Sequence, residues 1–308
     1  MLSENIFWII FSIVITLMLM IDLYVTDHRR GKITLKASLI WSGIWIITAL
    51  LFNVFLYFYL EDGHQKAIEF LTGYIIEKSL SVDNLFVFLM IFSVMNVKAE
   101  HQPHILKWGI LGAIFFRIIF ILAGVALINI FHPIIYVFGA LLIYAAYKMA
   151  FGSDEKIDVE NNWLIKIFVK YFKLKTDYDG RKFFIKESGK TYITTMFLTL
   201  LLIESSDIVF AIDSIPAIIA ITRDTFIIIS SNIFAILGLR ALYFALAGLV
   251  DLFKYLKYGV ALLLFYVGIK MLISDFYKIP TEISLIIIIT ILTASILLSL
   301  IKKKRFSE

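Results

Sequence analysis

A chain of 308 residues that is 61% hydrophobic and only 17% charged, with a mean hydropathy of +0.91, carries too little charge and too much Ile, Leu and Phe for a water-soluble domain. It has no cysteine, which excludes disulfides, thiolate metal sites and thiol redox chemistry. The net charge of +5 comes from basic residues at the ends of apolar runs, where a membrane protein needs them, and implies no nucleic-acid partner.

A helix needs about 20 apolar residues to cross a bilayer core. The apolar runs predict nine spans, near 6–22, 38–60, 68–95, 106–127, 131–150, 193–221, 226–249, 257–273 and 283–301. The stretch before the first span has no basic residue and no small-residue cleavage site, so that span is expected to stay in the mature protein. Asp22 ends it and reads as an interfacial aspartate, or as an acid at a pathway mouth. Alternate loops differ in charge. One set holds Arg29, Arg30, Lys32 and Lys36, then Lys98 and Lys107, the Lys-rich segment 151–192, Lys254 and Lys257, and the run Lys302 to Arg305. The other holds only Lys66, Arg223 and Lys278. Excess Lys and Arg marks the cytoplasmic side, which predicts an outside N-terminus and a cytoplasmic C-terminus. Segment 151–192 reads as a cytoplasmic connector within a single transmembrane domain, 1–308. It carries an amphipathic helix over 162–174, lying on the leaflet, and a short strand at 183–185 between turns. Lys148 and Lys270, near span ends, are expected to snorkel to the interface. The histidines (His28, His64, His101, His104, His132) form no helical ligand pair and read as interfacial bystanders.

Spans 3–5 repeat as spans 6–8. Tyr136 to Met149 aligns with Tyr258 to Met271, Arg117 with Arg240, and Asp83 to Phe86 with Asp207 to Phe210. Three is odd, so the second copy is inverted in the membrane. Transporters use such inverted repeats to place a binding site near the midplane.

The third and sixth spans also hold the unusual chemistry. Five carboxylates, Glu77, Asp83, Glu204, Asp207 and Asp213, sit in these two apolar helices, and each costs roughly 2.5–3.5 kcal/mol at a helix centre. Glu77, Ser81 and Asn84 share one helix face, and Glu204, Asp207 and Ser214 another. Pro216 cannot donate to the carbonyl of Ile212, so that oxygen is freed beside Asp213. Asn232 adds a candidate oxygen. Carboxylate, amide, hydroxyl and carbonyl oxygens suit hard cations such as Mg²⁺, Ca²⁺ or Mn²⁺. Arg117 and Arg240 either pair with surplus carboxylates, or clamp an anionic substrate, or compete with a cation for a carboxylate.

The stretch from Asp213-Ser-Ile-Pro through Asn232 to Arg240-Ala-Leu-Tyr243, with the acidic motifs Glu77 to Asn84 and Glu204 to Asp213, resembles the signature of the TerC family of integral membrane proteins, and the resemblance covers nearly the whole chain. It implies an all-α polytopic fold of the lysine-exporter-like type with inverted three-helix repeats, in a bacterial inner membrane. It also implies metal-ion homeostasis, chiefly manganese export, with tellurite resistance as an older association. On the family's pattern Glu77, Asp83, Asn84, Glu204, Asp207 and Asp213 form the metal pathway. The expected partners are then the bilayer and a transported divalent cation, with no permanent cofactor and no enzymatic site. Two alternatives stay open. One is a transporter of a zwitterionic or anionic solute held by the two arginines. The other is an intramembrane scaffold linked to metalation of exported proteins.

Overall fold

The computed structural model describes residues 4–25, 34–131, 133–151, 163–175, 180–187, 189–247 and 256–306. These form eleven α-helices and one small sheet: α1 Glu4–Met20, α2 Leu35–Tyr59, α3 Gly63–Val94, α4 Gln102–Ile130, α5 Ile134–Phe151, α6 Trp163–Tyr171, α7 Thr195–Ile219, α8 Thr225–Ile236, α9 Leu239–Ala247, α10 Leu256–Leu272 and α11 Thr281–Phe306. A π-helical turn, Ile21–Val25, continues α1. Six helices are each long and apolar enough to cross a bilayer, and the bent pair α8–α9 makes a seventh if counted as one span. By the same measure α3 is too charged, since Glu77, Lys78 and Asp83 interrupt its apolar half, and α10 has only 17 residues. The chain is an all-α polytopic membrane protein, with one small sheet among the described residues.

Burial explains which helix sits where. Every residue of α8 from Phe226 to Ile236 is buried, so this helix is the axis of the molecule. An aromatic cluster wraps it: Phe226 stacks edge-on against Trp8 and Phe11, and Phe234 lies 4.7 Å from Phe52 and 5.8 Å from Phe70. The outer helices reverse the soluble pattern. Leu51, Phe58, Phe115 and Ile130 are largely exposed, as lipid-facing side chains must be. Asp224 caps α8 by accepting from the amides of Phe226 and Ile227.

The span expected as one helix over 226–249 is broken. α8 stops at Ile236, Gly238 takes φ +81°, and α9 restarts at an angle of 40°. Glycine is required there, because a left-handed backbone penalises a Cβ and one at Gly238 would overlap the Trp45 ring.

α5 and α10 lie against each other along their length. A Cβ on Gly139 would meet the carbonyl of Gly268 at 3.0 Å, and one on Gly268 would meet that of Gly139 at 2.9 Å. Gly139 also faces Leu272, and Gly268 faces Ile143, so the two helices run antiparallel.

Between α5 and α7, α6 is followed by strands β1 Lys173–Lys175, β2 Phe184–Glu187 and β3 Lys190–Thr194, in the order β1-β3-β2. β1 pairs parallel to β3, and β2 pairs antiparallel. The amphipathic helix does not lie free on a leaflet. Its face of Ile165 and Phe168 docks on α7, with Phe168 5.1 Å from Phe197.

Candidate functional site

The site begins with helical periodicity. Glu77 and Ser81 stand one turn apart on α3, and the Ser81 hydroxyl donates to Glu77 Oε1 at 3.3 Å. Glu77 is fully buried. A buried carboxylate needs a partner, and α4 supplies one. Arg117 Nη1 lies 2.7 Å from Glu77 Oε1, and Nη2 lies 3.7 Å from Asp207 Oδ1 on α7. The same guanidinium donates to Ser214 Oγ on α7 at 2.5 Å and to Asn232 Oδ1 on α8 at 3.4 Å. One arginine therefore ties α3, α4, α7 and α8 together. Asn232 spends its amide on the Ile228 carbonyl at 2.8 Å, so both ends of this side chain are engaged within the protein.

Glu204 stands one turn before Asp207. It is buried against Gly112 of α4, where any added Cβ would overlap its carboxyl group. Glu204 Oε2, Asp207 Oδ2 and Glu77 Oε2 are buried with no hydrogen-bond partner among the described residues. Arg117 thus serves two of these three carboxyl groups, and Glu204 has no basic partner among the described residues. Taking an ion out of water costs several kcal/mol even after relaxation. The surplus negative charge is balanced in one of two ways, by protons or by a bound cation.

Of the other expected site residues, Asn84 is buried a turn further along α3, and Pro216 lies inside α7, which continues to Ile219. The side chains of Asp83 and Asp213 lie outside those described. Among the described residues no three His, Asp or Glu side chains converge as a metal centre; Arg117 stands between Glu77 and Asp207.

Arg240 forms a second cluster that periodicity alone does not reveal. Its Nε lies 3.5 Å from Asp22 Oδ2, and its Nη2 donates to the Asp22 backbone carbonyl. Asp22, at the end of the first span, is 1% exposed and is a buried ion-pair partner of Arg240. Next to Glu77, Lys78 sends its ammonium to the α8–α9 break, donating to the Ala235 and Leu237 carbonyls at 3.0 and 3.4 Å. A broken span exposes carbonyls that lipid cannot satisfy, and Lys78 meets that need. A cavity of about 20 Å³ has Asp207 and Arg240 in its walls, room for a single water between the clusters.

At the far end of α7 a basin of about 630 Å³ opens, lined by Lys66, Glu69, Thr222, Asp224 and Lys270 among others. Lys66 bridges Asp224 at 2.7 Å and Glu69 at 3.7 Å, and Thr222 donates to Glu69 at 2.6 Å. Lys270 is buried and donates to Ser284 at 2.9 Å instead of snorkelling outward. The hint in the sequence was sparse: Lys66, Arg223 and Lys278, the few basic residues of one loop set, all line this basin.

The comparisons with known proteins agree with this architecture. Residues 62–307 match the model of the integral membrane protein TerC family. Over 299 residues the chain is 43% identical to Alx of Escherichia coli strain K12, which carries a provisional description as a membrane-bound redox modulator; 95% of this chain and 93% of Alx are covered. It is 44% identical over 297 residues to the Myxococcus xanthus membrane protein STKORF319, covering 96% and 92% of the two chains. A membrane protein of Rickettsia felis is 42% identical over 296 residues, covering 96% and 98%. No solved structure matches. The chain belongs to the TerC family of integral membrane proteins.

Proposed function

We propose that the protein exports a divalent metal cation, Mn²⁺ foremost, across the bacterial inner membrane, and that it is a transporter and not an enzyme. One observation carries this reading: Glu204, buried and without a basic partner among the described residues, stands a turn from Asp207, which shares a single arginine with Glu77. A membrane core retains so much uncompensated acid where a cation passes. The donors are all oxygens, which suits hard cations. Arg117 is the internal competitor. Its 3.7 Å contact with Asp207 is looser than its 2.7 Å contact with Glu77, so Asp207 is the acid it releases first to a cation. Carboxylates that carry either a proton or the metal supply a route to proton counter-transport. The antiparallel contact of α5 with α10 supports the inverted repeat, and with it alternating access around a midplane site. The loop charges favour an outside N-terminus and a cytoplasmic C-terminus.

The name of the relative Alx bears on this chain in one respect. With no cysteine here, a redox role cannot run through a thiol. Moving a redox-active cation would serve instead. The anionic-solute reading is disfavoured, because Arg117 and Arg240 are both already held by carboxyl groups of the protein.

Mn²⁺ binding tests the reading. With the full chain in detergent, the paramagnetic resonance signal of free Mn²⁺ falls on addition of wild-type protein and stays unchanged with Glu204→Gln or Asp207→Asn. Equal depletion by wild type and both variants would remove these acids from the pathway.

A further inference from the structure

A surface helix on a protein in water needs one apolar stripe, the one that faces the core. α6 has two. Ile165 and Phe168 face inward, onto Phe197 of α7. Ile167 and Tyr171, one turn apart on another face, are 47% and 73% exposed, and the strand that follows adds Leu174 at 38%. Beside this second stripe run Lys166, Lys170 and Lys173, all exposed. The sheet continues the pattern, with Phe184 44% exposed and Lys182, Lys186 and Lys190 around it. Lys170, Lys173, Lys182, Lys186 and Lys190 have no carboxylate partner among the described residues; Lys175 alone in the sheet pairs with an acid, Glu187.

Exposed apolar side chains rimmed by lysines such as Lys170, Lys173 and Lys186, which have no carboxylate partner among the described residues, need a partner that is apolar within and anionic at its edge. The covalent chain says which one is near. β3 ends at Thr194 and α7, a helix long and apolar enough to cross a bilayer, starts at Thr195, so the sheet stands at the membrane surface. We propose that α6 and the sheet form a docking surface for anionic lipid headgroups of the adjoining leaflet. Ile167, Tyr171 and Leu174 enter the boundary between headgroups and acyl chains, and Lys170, Lys173 and Lys186 hold the lipid phosphates. Docking there fixes the end of α7, the helix that carries Glu204 and Asp207. The inference does not depend on what the protein transports.

Because the chain has no cysteine, Tyr171→Cys creates a single labelling site in the full-length protein. An environment-sensitive fluorophore placed there is read in nanodiscs of phosphatidylcholine alone and of phosphatidylcholine mixed with phosphatidylglycerol. The expected result is blue-shifted emission, quenched by nitroxide-labelled lipid, in the phosphatidylglycerol discs. The shift falls in high salt, and it disappears when Lys170→Gln and Lys173→Gln are added. Those two lysines are exposed, and an unchanged thermal midpoint shows that the variant is folded. Emission typical of water in both membranes would overturn the proposal. So would equal burial in both lipids whatever the lysines, or burial that accompanies cross-linking of the introduced thiol between two copies.

Discussion

Arg117 and Glu204 are both buried charges, yet their removal should have opposite consequences. Arg117→Met leaves Glu77 and Asp207 together without a cation, and breaking a buried pair in this way costs about 3–5 kcal/mol. Glu204→Gln removes a charge that has no basic partner among the described residues, so the thermal midpoint should hold or rise while Mn²⁺ movement is lost. Thermal unfolding of both variants in one detergent checks the contrast; equal destabilisation would mean that Glu204 has a partner essential to the fold. Gly112→Ala pushes a methyl group into the Glu204 carboxyl, the far end of a flexible side chain. It should weaken Mn²⁺ binding severalfold with little change in unfolding temperature. At this scale the sequence showed the acids, and helical spacing put Glu77 with Ser81. It also offered pairing with carboxylates as one role for the arginines. It could not show which carboxylates, because Arg117 meets Asp207, and Arg240 meets Asp22, across distances in the chain that no periodicity spans.

At the scale of elements, the informative feature is the break between α8 and α9. Hydropathy reads 226–249 as one span, since a glycine in an apolar run leaves the average unchanged. The break follows from φ +81° at Gly238 and from Trp45 filling the space where a Cβ would go. Gly238→Ala should therefore destabilise the protein by more than the roughly 1–2 kcal/mol of a left-handed alanine alone, read as a lowered midpoint in thermal unfolding. Lys78→Met strips the ammonium from the Ala235 and Leu237 carbonyls, and each unsatisfied group costs about 1–3 kcal/mol. Faster hydrogen exchange confined to 235–242 would report that loss; protection equal to wild type would show that Lys78 does not hold the break. The helix in the connector was legible from its lysines and aromatics. Its docking on Phe197 was not, because an amphipathic pattern shows that a face is buried and not against what.

Across the whole molecule, the apolar runs and the repeat were enough to expect a polytopic helical protein, because bilayer thickness dictates span length. The basin at the C-terminal end of α7 escaped that reading. It is assembled from single residues of several loops and helix ends, Lys66, Thr222, Asp224 and Lys270 among them. The molecule is thus laid out along α7, with the lysine-rich sheet at its first residue, the acids at its middle and the basin beyond its last turn. Transport along such a path should respond to pH on both sides, since protons and the cation compete for the same carboxylates. The most direct test places the purified protein in liposomes and follows Mn²⁺ flux under an imposed pH gradient, for the wild type and for Glu204→Gln. Flux that follows the gradient in the wild type and vanishes in the folded variant is the predicted result. Wild-type flux that persists undiminished in Glu204→Gln, or no Mn²⁺ flux from folded wild-type protein, would contradict the account.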